Sequence, residues 1–414
     1  MRKFAAAALA TTTVLGLGAT AVTADAAPSS RSVSSAAPAP FIVVLDDSAD
    51  ARALAPAHAS RLGFDVGHVY TAALQGYSAT MSPAVADALE ALPSVRWVQP
   101  DRRVSVDAQT TPTGINRANA DASPTAAING SDQRVNVDVA VIDTGADLTH
   151  PDLNIYRAGA RNCSVGAVNA NDLNGHGTHV AGTIGALDNA TGVVGVAPGA
   201  RIWPVKVLTD AGSGLNSDVI CGIDYVTSHA SEIEVANMSL GGAGTDDGNC
   251  GNTNQDAMHK AICRSVAAGI TYSVAAGNDS ENAANATPAA YDEVITVSAL
   301  ADFNGLPGGG APSTCRADVD DTFASFSNFG SDVDLIAPGV CINSTWMLGG
   351  YNTISGTSMA SPHVAGGAAL YKATHPTASP AAVQAALQGS GTLDWSNADD
   401  RDNTKERLLD VSTY

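Results

Sequence analysis

Five short runs rich in β-branched residues, at 135–143, 201–208, 233–240, 270–276 and 294–299, alternate along the chain with alanine-rich stretches of helical pattern. This alternation constrains the fold more than any other feature. Strands separated by helix-length crossovers are built into a parallel sheet, and near-continuous apolar runs demand cover on both of its faces. The 414 residues allow one large domain of about 300 residues with a sizeable core, and a smaller one before it. The expected fold class is therefore α/β: a parallel β-sheet flanked by helices on both faces, preceded by a small α+β domain. No internal repeat is present.

Three segments of this frame carry chemistry. Val139-Ala140-Val141-Ile142-Asp143-Thr144-Gly145 reads as a buried strand with Asp143 at its carboxyl end, where open α/β sheets place their sites. Taken alone, Asp143 also reads as a turn aspartate. Asn174-Gly175-His176-Gly177-Thr178-His179-Val180-Ala181-Gly182 sets His176 between two glycines, expected to leave its ring unshielded, at the start of an amphipathic helix. A zinc pair with His179 lacks the glutamate of the HExxH pattern, so His179 is expected to pack inside the helix. Gly356-Thr357-Ser358-Met359-Ala360-Ser361-Pro362 delivers a serine to the mouth of an alanine-rich helix, with Pro362 placed in the first turn. Taken alone, Ser358 reads first as an ordinary N-cap. Together the segments supply an acid, a base and a nucleophile in the order Asp, His, Ser.

On these motifs the chain resembles the subtilisin-like serine proteases from about Thr113 to about Leu387. The resemblance implies that Ser358 attacks a peptide carbonyl, His176 takes and returns the proton, and Asp143 holds the imidazole in its useful tautomer. By the same resemblance Asn278, at the end of Tyr272-Ser273-Val274-Ala275-Ala276-Gly277, is an oxyanion donor beside the Ser358 N–H. Ser239, Leu240 and Gly241 match the edge that pairs with substrate backbone, and Ala275, Ala276 and Gly277 the wall of the primary specificity pocket. Small residues there imply room for sizeable apolar side chains. The implied activity is a serine endopeptidase of broad specificity, hydrolysing peptide bonds through an acyl-enzyme. The alternative is a catalytically silent subtilisin-like peptide-binding protein, which has no reason to keep Asp143, His176, Ser358 and Asn278 together. Ester cleavage or peptide ligation would use the same acyl chemistry.

The remaining features fit an exported precursor. Arg2-Lys3, an apolar run from Phe4 to about Val22 and Ala24-Asp25-Ala26 read as a signal peptide over residues 1–26. Residues 27–40 read as a linker. Residues 41–107 are similar to the inhibitory propeptides of the same family, implying that the enzyme's own propeptide is its inhibitor, and residues 108–414 are the peptidase domain. Self-cleavage is expected between Ser105 and Thr113. Residues 1–107 carry nine acidic and eight basic side chains, so nearly all of the net charge of −20 lies beyond them. That argues against nucleic acid or anionic membranes as partners, while the resemblance implies polypeptide substrates and a secreted monomer. The six cysteines suggest three disulfides in an exported chain, and the implied fold favours 163–221, 250–263 and 315–341. No cofactor is required for this chemistry. Structural calcium is possible, as family members often bind it. Asp246-Asp247 and Asp318-Val319-Asp320-Asp321 are acid clusters of that kind, but the ligands stay unknown.

Overall fold

A computed structural model describes residues 37–101 and 108–414. The expected signal peptide, most of the linker and residues 102–107, where self-cleavage is expected to begin, lie outside the described residues. The chain forms two compact units, meeting in sequence at Ser105 and Val106.

The first unit is a four-stranded antiparallel sheet in the order Asp65–Tyr70, Gly76–Met81, Ala39–Leu45, Val95–Pro100. Two helices, Ala51–Leu62 and Pro83–Glu90, complete a split β-α-β arrangement. Asp50 caps the first helix by accepting from the N–H groups of Arg52 and Ala53. Val43, Leu45, Tyr77, Met81 and Leu89 make its core. The strand Asp65–Tyr70 and the helix Ala51–Leu62 had no counterpart in the sequence reading. That strand lies at the sheet edge with most side chains exposed, so no apolar alternation announces it.

The second unit is built on a nine-stranded sheet. Eight strands run parallel across it in the order Arg407–Leu408, Leu335–Pro338, Ile295–Ala301, Thr271–Ala275, Val235–Met238, Asp138–Asp143, Arg201–Lys206, Arg161–Asn162. The ninth, Thr322–Phe323, pairs antiparallel with Ile295–Ala301. All five expected strands are present, most of them shorter by a few residues at their ends. Side-chain alternation assigns the faces: Val139 and Val141 enter one core while Ala140 and Ile142 enter the other. The helices His176–Gly185 and Thr357–Thr374 cover the first face, through Val180, Ile184, Val364 and Ala368. Asn216–Ser228 and Ala257–Ala267 cover the second, through Ile223 and Ile262. Both functional helices are so rich in Ala and Gly that backbone can approach sheet closely. Disulfides join Cys163 to Cys221, Cys250 to Cys263 and Cys315 to Cys341, the pairing that the resemblance implied.

Candidate active site

Asp143 ends a central strand and is fully buried. Its Oδ1 accepts from the Thr144 N–H at 2.7 Å and from His176 Nδ1 at 2.8 Å. An ionised carboxylate can only accept, so Nδ1 carries the proton and Nε2 keeps its lone pair. Nε2 makes no hydrogen bond among the described residues, and the His176 side chain is 25% exposed. Burial disfavours the imidazolium, but the adjacent Asp143 carboxylate outweighs it, helped by the more distant Asp172, and the His176 pKa is raised above its ordinary 6.5.

The glycines around His176 have a different purpose from the one expected. Gly175 has φ of 104°, and a Cβ there would strike the Trp346 indole. A Cβ on Gly177 would collide with the Gly145 carbonyl oxygen. They are required by close packing of the loop against the sheet rather than by access to the ring.

Asp172 was missed by sequence reading. Buried beneath this loop, its Oδ1 accepts from Thr144 Oγ1 at 3.0 Å and from the N–H groups of Asn174 and Gly175 at 2.9 Å each. Its Oδ2 accepts from the Thr178 N–H at 2.9 Å and Thr178 Oγ1 at 2.6 Å. One carboxylate thus ties the residue after Asp143 to the first turn of the His176 helix. Sequence offers only the weak signal of an aspartate four residues before the helix. His179 lies one turn on, fully buried, with Nε2 on the Ile342 carbonyl at 2.9 Å and a pKa pushed down to about 3 by burial.

Ser358 is the second residue of the helix Thr357–Thr374. Pro362 therefore lies in the second turn and not in the first, as expected. The N–H it lacks would have bonded the Ser358 carbonyl. That carbonyl instead accepts from Ser239 Oγ at 2.8 Å. Ser239 Oγ in turn accepts from Asn237 Nδ2 at 2.9 Å, Asn237 Oδ1 accepts from Ser361 Oγ at 2.8 Å, and Ser273 Oγ donates to the Ser361 carbonyl at 2.9 Å. The start of the helix is moored to two central strands by hydroxyls. Ser358 Oγ itself donates to the Ser239 carbonyl at 3.4 Å, and no hydrogen bond joins it to the His176 ring among the described residues.

Asn278 follows the strand Thr271–Ala275 by a turn in which Gly277 has φ of 108°. Its Oδ1 accepts from the Thr357 N–H at 2.8 Å and Thr357 Oγ1 at 3.0 Å, which fixes the amide plane. Its Nδ2 then has two protons and no partner among the described residues. A Cβ placed on Gly356 would lie 3.6 Å from the Ser358 nitrogen and 3.8 Å from Asn278 Nδ2, so both donors border the same small space.

Two adjoining cavities open here. One, of about 340 Å³, is bounded by Leu240, Gly241, Ala275, Ala276, Gly277 and Ser358, and has Asp279 and Glu281 at its edge. The other, of about 470 Å³, holds His176 and is walled by Leu208, Gly212, Gly214, Leu215 and Leu240. Leu240, Gly241, Gly242 and Thr287 belong to both, making one continuous cleft. Ser239 reaches the second cavity, but its hydroxyl is occupied by the Ser358 carbonyl. The opposing wall 212–215 was not foreseen, although Gly212-Ser213-Gly214 is its visible signal. Such a cleft presents a buried carboxylate, a base with a free lone pair, an exposed hydroxyl and two inward N–H donors.

Residues 135–406 match the subtilase family and residues 40–107 match peptidase inhibitor I9. The chain belongs to the subtilase family. It is 40% identical over 318 residues to Subtilisin E of Bacillus subtilis (strain 168), covering 76% of this chain and 75% of that protein. Alkaline protease of Shouchella clausii is 38% identical over 315 residues, covering 76% and 73%. The crystal structure of a cold adapted subtilisin-like serine proteinase superposes with a TM-score of 0.55 at 34% identity, covering 68% of this chain and 92% of that one. The protein is a serine-type endopeptidase preceded by an inhibitory propeptide domain.

Proposed function

We propose that this enzyme is a secreted, monomeric endopeptidase of broad specificity whose reaction is carried by Asp143, His176, Ser358 and Asn278. A bound peptide displaces Ser358 Oγ from the Ser239 carbonyl toward His176. Oγ bonds to the peptide carbonyl carbon as its proton passes to Nε2, and Asp143 stabilises the resulting imidazolium. The new oxyanion sits between the Ser358 N–H and Asn278 Nδ2. His176 gives its proton to the amine as the C–N bond breaks, leaving an acyl-enzyme. Water then enters by the reverse proton route, releasing the acid and restoring Ser358. Leu240 and Gly241 on one side and 212–215 on the other would hold an extended backbone, which reads main chain more than side chains. The small residues Ala275, Ala276 and Gly277 leave room for a large apolar group.

The observation that carries this reading is the 2.8 Å bond from His176 Nδ1 to Asp143, which leaves Nε2 free at the cleft shared with Ser358. Ser358→Ala tests it: peptide hydrolysis and removal of the propeptide should both vanish, together with labelling by a serine-directed fluorophosphonate. A Ser358→Ala protein that still trims its own first unit would refute the assignment. Under the same reading, residues 1–26 are a signal peptide, 27–40 a linker, 41–107 the inhibitor and 108–414 the mature enzyme, with cleavage between Ser105 and Thr113.

A structural calcium ion belongs to this reading too. Of the two clusters singled out in sequence, Asp318–Asp321 is spoken for: Asp318 accepts from Arg316, Asp320 from the N–H groups of Phe303 and Ala311, and Asp321 from Arg117. Asp400, Asp402 and Glu406 are different. Their ligand atoms lie within 4.8 Å of one another, and Asp400 Oδ2 and both Glu406 oxygens are buried with no partner among the described residues. Burial pushes the Glu406 pKa up to about 8 and that of Asp400 up to about 6. An all-oxygen set of this kind suits calcium, which would offset most of the charge of the three carboxylates and fix the 400–406 loop.

A further inference from the structure

Away from the cleft, one buried histidine is surrounded by acceptors. His259, on the helix Ala257–Ala267, is 0% exposed and stacks on Tyr291 at 4.0 Å between ring centres. Its Nε2 lies 2.9 Å from Glu293 Oε2. A carboxylate only accepts, so Nε2 carries the proton and a neutral ring points its Nδ1 lone pair the other way. Nδ1 has no hydrogen-bond partner among the described residues, and it faces Asp246 Oδ1 at 3.4 Å and Asp247 Oδ1 at 3.5 Å. A lone pair confronting two carboxylates is repelled unless Nδ1 takes up either a proton or a metal ion.

We propose that Asp246 Oδ1, Asp247 Oδ1 and His259 Nδ1 bind a divalent transition-metal ion of the zinc class. Zinc takes nitrogen and carboxylate oxygen at roughly 2.1 Å, and the edge of a tetrahedron of that radius is about 3.4 Å, matching both separations. The hydrogen bond from Nε2 to Glu293 is the second contact that orients a metal-bound imidazole and makes it more basic. Nitrogen in the set argues against calcium, which takes oxygen. The carboxylates are held in place before any ion arrives. Asp247 accepts from the N–H groups of Asn249, Gly251, Thr253 and Asn254, and Asp246 accepts from Gly248 and Asp292. Lys260, the nearest amine on the helix, is bound to Asn252 Oδ1 at 3.0 Å. The Cys250–Cys263 disulfide ties the acidic loop to the same helix, one turn beyond His259, and keeps both sulfurs out of the ligand set.

The ion would lock the loop that follows Gly242–Ala243, the short strand that pairs with Ala286–Thr287 at the wall of the cleft. Met258, next to His259, lines the second cavity. The site therefore braces the substrate groove from behind without touching substrate.

The test uses the full chain carrying Ser358→Ala, which prevents self-digestion, stripped with chelator and kept in excess Ca²⁺. Titration with Zn²⁺ alone by calorimetry should show one saturable equivalent. Co²⁺ in its place should give the visible absorption of a four-coordinate ion. Glu293→Gln should weaken Zn²⁺ by about tenfold or more, and Asp246→Asn, whose amide oxygen can still accept from the Gly248 N–H, by at least as much. His259→Asn should abolish binding; if that variant does not fold, Asp246→Asn decides. No saturable Zn²⁺ binding, or binding undiminished in Asp246→Asn, overturns the proposal. So does an imidazole nitrogen NMR signal showing that Nδ1 of His259 keeps a proton in excess Zn²⁺.

Discussion

Removing calcium should make this protein progressively weaker as the pH rises, and Glu406 sets the size of the effect. Glu406 is 5% exposed, neither of its carboxyl oxygens has a hydrogen-bond partner among the described residues, and burial pushes its pKa up from 4.5 to about 8. A raised acid pKa means that the folded state holds its proton more tightly than the unfolded chain. The corresponding stability is complete below pH 4.5 and is lost as pH climbs through about 8. A displacement from 4.5 to about 8 corresponds to about 5 kcal/mol at 1.36 kcal/mol per unit, and entry of water at the loop should reduce this to about 2–4 kcal/mol. Asp400, raised to about 6, adds to the loss over the acid part of the range. Against a total stability of about 5–15 kcal/mol this is readily measured. The assay is denaturant unfolding of the Ser358→Ala protein at pH 5 and pH 8, in chelator and in millimolar Ca²⁺. In chelator the midpoint should fall between the two pH values; Ca²⁺ should restore it at pH 8 and change little at pH 5. Glu406→Gln, neutral throughout, should remove most of the pH dependence. Identical midpoints at pH 8 with and without Ca²⁺ would show that the three carboxylates hold no ion and that the reasoning is wrong.

Asn278→Ala should leave the fold intact and lower kcat by about 100–1,000-fold with a small change in KM, a magnitude that comes from this same family; an effect confined to KM would remove Asn278 from the oxyanion site. The acid limb of the pH profile of kcat/KM should lie above 6.5, because Asp143 raises the His176 pKa. Activity should rise as pH increases through that value, and a limb below 6.5 would contradict the geometry. Asp172→Ala strips the acceptor from three N–H groups and two hydroxyls. It should cost about 2–4 kcal/mol in denaturant unfolding, and Asp172→Asn should move the acid limb to lower pH by removing a charge that favours the imidazolium. Unchanged stability in Asp172→Ala would mean that water replaces the carboxylate.

The parallel sheet was legible because its strands are contiguous apolar runs, and the two faces follow from residue parity along Asp138–Asp143. Asp143, His176 and Ser358 stood out because each sits close to glycine, the first at the end of a strand and the other two at the start of a helix. What escaped was whatever depends on distant partners. Asp321 resembled a metal ligand until its salt bridge to Arg117, 204 residues away, claimed it. Glu406 drew no reading from the sequence, and only the fold shows it buried without a partner among the described residues. Pro362 was placed one turn too early because the helix begins at Thr357, and the freed carbonyl finds its donor on Ser239, 119 residues earlier. Edge elements such as Asp65–Tyr70 left no trace because exposed strands need no apolar rhythm.

The hydroxyl mooring of Ser239, Asn237, Ser361 and Ser273 beneath Ser358 divides one helix into two mechanical regimes. Its later turns are wedged in place by alanine and leucine packing, whose grip is insensitive to small shifts. Its reactive mouth is suspended from directional bonds that slacken within a fraction of an ångström. Gentle heating should therefore blunt turnover at temperatures where the sheet remains fully assembled, so that inactivation and melting part company.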